Sequence, residues 1–240
     1  MTADRTTAKM RRVPALLGAV GIVLGAAACS SSGDSDSSSG GGGKLSYDQV
    51  RSTAQGLSKT GPCPFGLDLA AALKSAGIDR PVTAGAKDEQ PVGTDLGDGV
   101  PAQDWPSGAS HPAELPSMPA TPPSAWVTCT YTVGSTPVRI DLLAIPQNDV
   151  AVNMMLPHIQ RFGNVGVAQL SQFAGDKAKA GETRLTPGEA SVGVTRVAVK
   201  GKGDLVLTLT QDTVNAEVER SLIGEPLRKA TAQLATQLRP

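Results

Sequence analysis

Histidine is nearly absent from this chain, with two in 240 residues. His111 falls in a proline-rich stretch, and His158 follows Pro157 in an apolar helical pattern. No Gly-x-Ser-x-Gly elbow, His-Glu-x-x-His helix or phosphate loop occurs, which excludes the compact motifs of serine hydrolases, zinc peptidases and P-loop enzymes. An enzyme would have to be a hydrolase with catalytic residues dispersed along the chain; the expectation is a protein that is not an enzyme. Charge of one sign is equally thin: 22 basic residues balance 22 acidic ones, and no Lys/Arg cluster follows residue 12. That argues against nucleic-acid binding and against electrostatic adhesion to anionic lipid. Aromatic residues make up only 3 % of the chain. Trp105 and Trp126 are the candidates for an apolar ligand platform, with core packing as the competing role of each.

Long hydrophobic runs are missing too. Residues 13–28 form an apolar run of 16, broken by Pro14 and three glycines, whereas a bilayer span takes about 20. With Arg5, Lys9, Arg11 and Arg12 ahead of it, this run has the layout of an export signal over 1–28. Ala26, Ala27 and Ala28 before Cys29 resemble the lipobox read by the lipoprotein-processing peptidase. The resemblance implies a lipidated Cys29 at the new N-terminus and a protein held on the extracytoplasmic face of the cell membrane. The same alanines fit the small-x-small rule of the general signal peptidase, which would leave a secreted protein without lipid. Cleavage leaves 18 basic against 21 acidic groups, so the lipid is the whole of the expected membrane contact. Two or three acyl chains, at roughly 0.8 kcal/mol per buried methylene, suffice for it.

Residues 29–44 read as a tether. Between Ser30 and Gly43 stand seven Ser, five Gly and two Asp, with no apolar side chain to offset the entropy of ordering. Only three cysteines are present. If Cys29 carries lipid, Cys63 and Cys129 remain as a pair for a disulfide, with two buried free thiols as the alternative. Neither has a Cys or His neighbour at ligand spacing, so no metal site is expected, and no cofactor motif is present.

Residues 45–240 should form one domain. Ser46 is a plausible N-cap for a helix carrying Tyr47, Val50, Ala54 and Leu57 on one face and stopping by Gly61. A second helix is expected over 67–76, ended by Gly77. Residues 79–124 hold nine Pro and five Gly and read as a long irregular excursion. Its Asp95, Asp98 and Asp104 miss the spacing of a calcium loop and fit wet Asp-Gly turns instead. Alternation then predicts a strand over 126–133, with Val127, Cys129, Tyr131 and Val133 inward. A turn over 134–137 leads into a second strand with Val138, Ile140, Leu142 and Ala144 inward and Arg139 and Asp141 outward.

Asp149 is a fair N-cap for a helix that Pro157 should kink or split, with Met154 and Met155 as core filling. Residues 167–173 add a further helical turn or two. A second hairpin over 192–210 follows, its inward phase slipping between Val194 and Val197 as though a bulge lay near Thr195. Val214, Val218 and Leu222 continue at helical spacing, and the chain ends in a helix with Pro226 in its first turn and Leu227, Ala230, Leu234 and Leu238 on one face. The order predicts an α+β domain: an antiparallel sheet of four or more strands covered by helices.

With its Ala-rich export signal, Cys29-Ser-Ser, Ser/Gly tether, Pro62-Cys63 corner and Thr128-Cys129-Thr-Tyr131 strand, the chain resembles small actinobacterial cell-envelope lipoproteins with a two-cysteine domain of unknown function. In layout it is also similar to the extracellular ligand-sensing modules of some actinobacterial kinases. The resemblance implies a binding or sensing module for a small molecule, glycan or partner protein. A structural or accessory protein of the envelope is the alternative, and no catalytic residues carry over.

Overall fold

The computed structural model describes residues 44–86, 89–188, 191–212 and 217–240. The export segment, Cys29 and nearly all of the tether therefore lie outside the described residues, as does Val214. Among those described, no helix is long and apolar enough to cross a membrane.

Each face of the central sheet carries its own helices. Helix α1 (Tyr47–Gly56) starts at a capping box: the Ser46 hydroxyl accepts from the Gln49 amide, and the Gln49 side chain accepts from the Ser46 amide. It ends at Gly56, five residues before Gly61. Asp68 caps α2 (Leu69–Ser75), and Gly77, at φ +83°, terminates it in the left-handed region that favours glycine. Both helices, with the C-terminal α5 (Gly224–Gln237), pack Val50, Leu69, Leu73, Leu227 and Leu234 against one side of the sheet. Helices α3 (Ala151–Gly163) and α4 (Val167–Gly175) cover the other side with Met155, Ile159 and Phe173. Met154 joins that second core only partly buried.

The sheet is the expected α+β sheet, enlarged to seven antiparallel strands among the described residues. Strands β3 (Ser124–Val133) and β4 (Thr136–Ile145) make the first hairpin, its turn shortened to Gly134-Ser135 because Thr136 and Pro137 already pair. Strands β6 (Gly193–Val197) and β7 (Asp204–Gln211) make the second. β4 pairs with β7, so the two hairpins fuse at the centre, and the short β5 (Thr183–Leu185) closes one edge. At the other edge the reading of 79–124 as irregular is corrected in part. Strands β1 (Val82–Ala84) and β2 (Val92–Gly97) both pair with β3. Pro81 and Pro91 directly precede them, where the missing N–H costs nothing, and their carbonyls accept from the Gly134 and Thr130 amides. Residues 98–123 carry only two isolated bridges, Val100–Thr121 and Gln103–Met118.

Four other expectations are corrected. Asp149 does not cap α3: it stands at φ +61°, ion-paired to Arg196, while the Ala151 amide donates instead to Asp204 Oδ2. Pro157 does not split α3, which runs through it as one helix. Near Thr195 there is no bulge, since β6 and β7 pair in unbroken register from Gly193↔Leu209 to Val197↔Leu205. The apparent slip arises because both faces are buried: Val194 belongs to the α3 side and Val197 packs on the α5 side. Residues 220–222 form a single 3₁₀ turn rather than a helix.

Cys63 and Cys129 are joined in a disulfide with their Cα atoms 5.7 Å apart. Cys129 lies on the α1/α2 face of β3, so the bridge pins the linker between those helices to the sheet. It closes a separation of 66 residues, for which chain entropy gives roughly 4 kcal/mol. Reduction should therefore lower the urea unfolding midpoint strongly; equal midpoints with and without reductant would show that the bridge adds nothing.

Candidate functional site

The side of the sheet beneath α3 carries polar groups that the strand pattern does not announce. Alternation along β3 puts Trp126, Thr128 and Thr130 on this face. Register then sets Leu143, Asp141 and Arg139 of β4 beside them, with Thr208 and Thr210 of β7 beyond. Helix α3 lays His158 and Phe162, one helical turn apart, over this row.

Asp141 is the hub, and its side chain is fully buried. Oδ1 accepts from the Trp126 indole Nε1 at 2.9 Å and from the Thr128 hydroxyl at 2.6 Å. Oδ2 lies 2.8 Å from His158 Nε2 and 3.7 Å from Arg139 Nε. These three atoms and the nearby Thr208 hydroxyl are buried without a well-directed hydrogen bond. Arg139 is an ion-pair partner of Asp141 by proximity, and His158 is one only when its ring carries a second proton. Burial alone would raise the carboxyl pKa; the close His158 imidazole, the Arg139 charge and the Thr128 hydroxyl outweigh it and hold Asp141 below the ordinary carboxylate value. Rings complete the cluster. His158 meets Trp126 edge-on at 5.3 Å between centroids and Phe162 at 4.6 Å, and the Arg139 guanidinium lies 5.0 Å from the centre of the Phe162 ring.

This cluster floors an open cleft of about 490 Å³. Trp126, Thr128, Thr130, Arg139, Asp141 and His158 line its base, and Glu89, Gln90, Gly93, Thr94 and Asp95 form the wall on the β2 edge. A fixed indole, a guanidinium and an imidazole in one concavity can bind a polar ligand. The Asp141–His158 pair could also orient a general base, but among the described residues no hydroxyl or thiol is bonded to His158.

Of the residues singled out in the sequence, Trp126 reaches the cleft and Trp105 does not. Trp105 lies in the excursion, stacked on His111 at 5.3 Å with its indole donating to the Leu115 carbonyl. Asp95, Asp98 and Asp104 do not converge: Asp95 lines the cleft, Asp98 pairs with Arg51 at 2.6 Å, and no group of metal-binding side chains exists among the described residues. Arg139 and Asp141, expected to face outward, instead face the α3 side, where Asp141 is fully buried. The missed signal lay in the same row of β4, where Leu143 and Ile145 follow them. Two apolar residues on the supposed outer face mark that face as covered. His158 could be recognised only once α3 was placed on the sheet. No protein-family model, curated protein or solved structure matches this chain.

Proposed function

We propose that the protein is a lipid-anchored extracytoplasmic lipoprotein of the cell envelope, whose folded part is a non-catalytic binding or sensing module that holds a small molecule in the Trp126–Arg139–His158 cleft. The observation that carries this reading is the buried Asp141 carboxylate with Trp126, Thr128, His158 and Arg139 gathered around it at the base of an open cleft. Binding sites combine an apolar wall with a few convergent polar groups. An accessory role through protein contact alone has less support. The large apolar side chains most open to solvent among the described residues are Val100, Leu115 and Val167, divided between the excursion and α4. The hydrolase alternative has less support, since no hydroxyl or thiol is bonded to His158 among the described residues.

Native mass spectrometry of the full-length protein, extracted from its own membranes in detergent, tests the proposal. A bound small molecule should be carried by the wild type and lost from Trp126→Ala, which removes the aromatic wall and leaves the core side of β3 intact. A spectrum identical for both proteins and matching the bare chain would overturn it.

A further inference from the structure

The charges around the cleft do not match one another, and the mismatch names a ligand class. Arg139 turns Nε toward Asp141 and lays its guanidinium over Phe162, and these contacts fix its direction. Its two terminal nitrogens make no hydrogen bond to the described protein, and the side chain keeps 21 % of its surface open. Across the cleft, Glu89 and Asp95 are exposed and have no ion-pair partner among the described residues. A directed cation thus stands on the base and free carboxylates stand on the rim, too far apart to neutralise one another.

The register gives the scale. The Gln90 carbonyl accepts from the Thr130 hydroxyl at 2.8 Å, and Thr130 pairs with Arg139. Glu89 therefore stands about two strand spacings, roughly 10 Å, from the Arg139 backbone.

We infer that the cleft takes a small zwitterion of the size of an amino acid or dipeptide, its carboxylate forked on Arg139, its ammonium on the Glu89/Asp95 rim and its apolar part against Trp126. This rests on the binding reading above and narrows it. A guanidinium presents parallel donors that match a carboxylate bidentately. A phosphate or other polyanion would meet Glu89, Asp95 and Asp141, and a simple cation would meet Arg139. A neutral sugar would leave both kinds of charge unused.

The chain has two tryptophans, so a ¹⁵N-indole spectrum of the full-length protein in detergent shows one signal for each, assigned with Trp105→Phe. The probes are dialanine, N-acetylalanine, alaninamide and glucose. Dialanine should shift the Trp126 signal in a saturable way and bind more tightly than either single-charge probe. Arg139→Gln should weaken dialanine and N-acetylalanine at least tenfold and leave alaninamide unchanged, with Arg139→Lys intermediate because it keeps the charge and loses the fork. Glu89→Gln should weaken dialanine and alaninamide but not N-acetylalanine. Undisturbed amide spectra of the variants would exclude misfolding as the cause.

Binding by glucose alone, or dialanine binding indifferent to Arg139→Gln, would overturn the zwitterion and leave the cleft as a binding site. Should none of the probes move Trp126, the molecule found by native mass spectrometry decides. One lacking either a carboxylate or an amine overturns the inference, one bearing both supports it, and a bare chain overturns the binding reading along with it.

Discussion

Asp141→Ala should destabilise the fold by about 3 kcal/mol, read as a lower urea midpoint at unchanged slope. Removing one partner of a buried charge pair costs roughly 3–5 kcal/mol, because the others are left uncompensated. The lower end applies here: Arg139 and His158 keep 21 % and 12 % of their side-chain surface open, so water recovers part of the loss. Trp126 and Thr128 lose their common acceptor as well. Against a total stability of ~5–15 kcal/mol this is a large fraction. Asp141→Asn keeps an oxygen for those two donors and should cost less.

The same carboxylate makes stability depend on pH with a definite sign. Its pKa is lower in the folded chain than in the unfolded one, where an Asp titrates near about 3.9. Its contribution is therefore complete above that value and disappears as the pH falls through the folded pKa. Glu219 behaves alike, held down to about 2 by Arg80 and by the Ser221 amide and hydroxyl. The wild type should lose stability steeply below about pH 4, and Asp141→Asn should be flatter in that window because only the parts of Glu219 and of Glu225, held down by Arg228, remain. Parallel acid profiles for the two proteins would show that Asp141 carries no stabilising charge.

The other large effect concerns location. Cys29→Ser should move the protein from the membrane fraction to the medium almost completely, because the 14 residues from Ser30 to Gly43 and the mildly acidic mature chain offer no second attachment. In the proposed anchor the Cys29 sulfur would carry the diacylglyceryl group, whose burial scales with methylene number, and a hydroxyl cannot take its place. Fractionation followed by a carbonate wash reads the outcome; a Cys29→Ser protein that stays with the vesicles would rule out lipid as the anchor.

The elements that were legible share one property: their signal is local. The Ser46 N-cap, the Gly77 stop, the alternation from Val127 to Val133 and the Leu227-to-Leu238 stripe each depend on neighbours within a few residues. β1 and β2 escaped because three- and six-residue edge strands among prolines are too short to alternate convincingly, and β3 supplies their hydrogen bonds.

The cleft escaped for a different reason. Trp126, Asp141 and His158 lie on three elements, 15 and 17 positions apart in sequence, and nothing in their spacing joins them. Period-two patterning sorts a strand into two faces but does not say whether the second is wet. By itself the sequence determined most of the helices, the two hairpins and the α+β class, since local hydrogen bonding and patterning decide those. Only the tertiary structure decided that α3 covers the far face of the sheet and that a carboxylate beneath it lies at the base of a cleft, because burial and ion pairing belong to surfaces that the fold brings together.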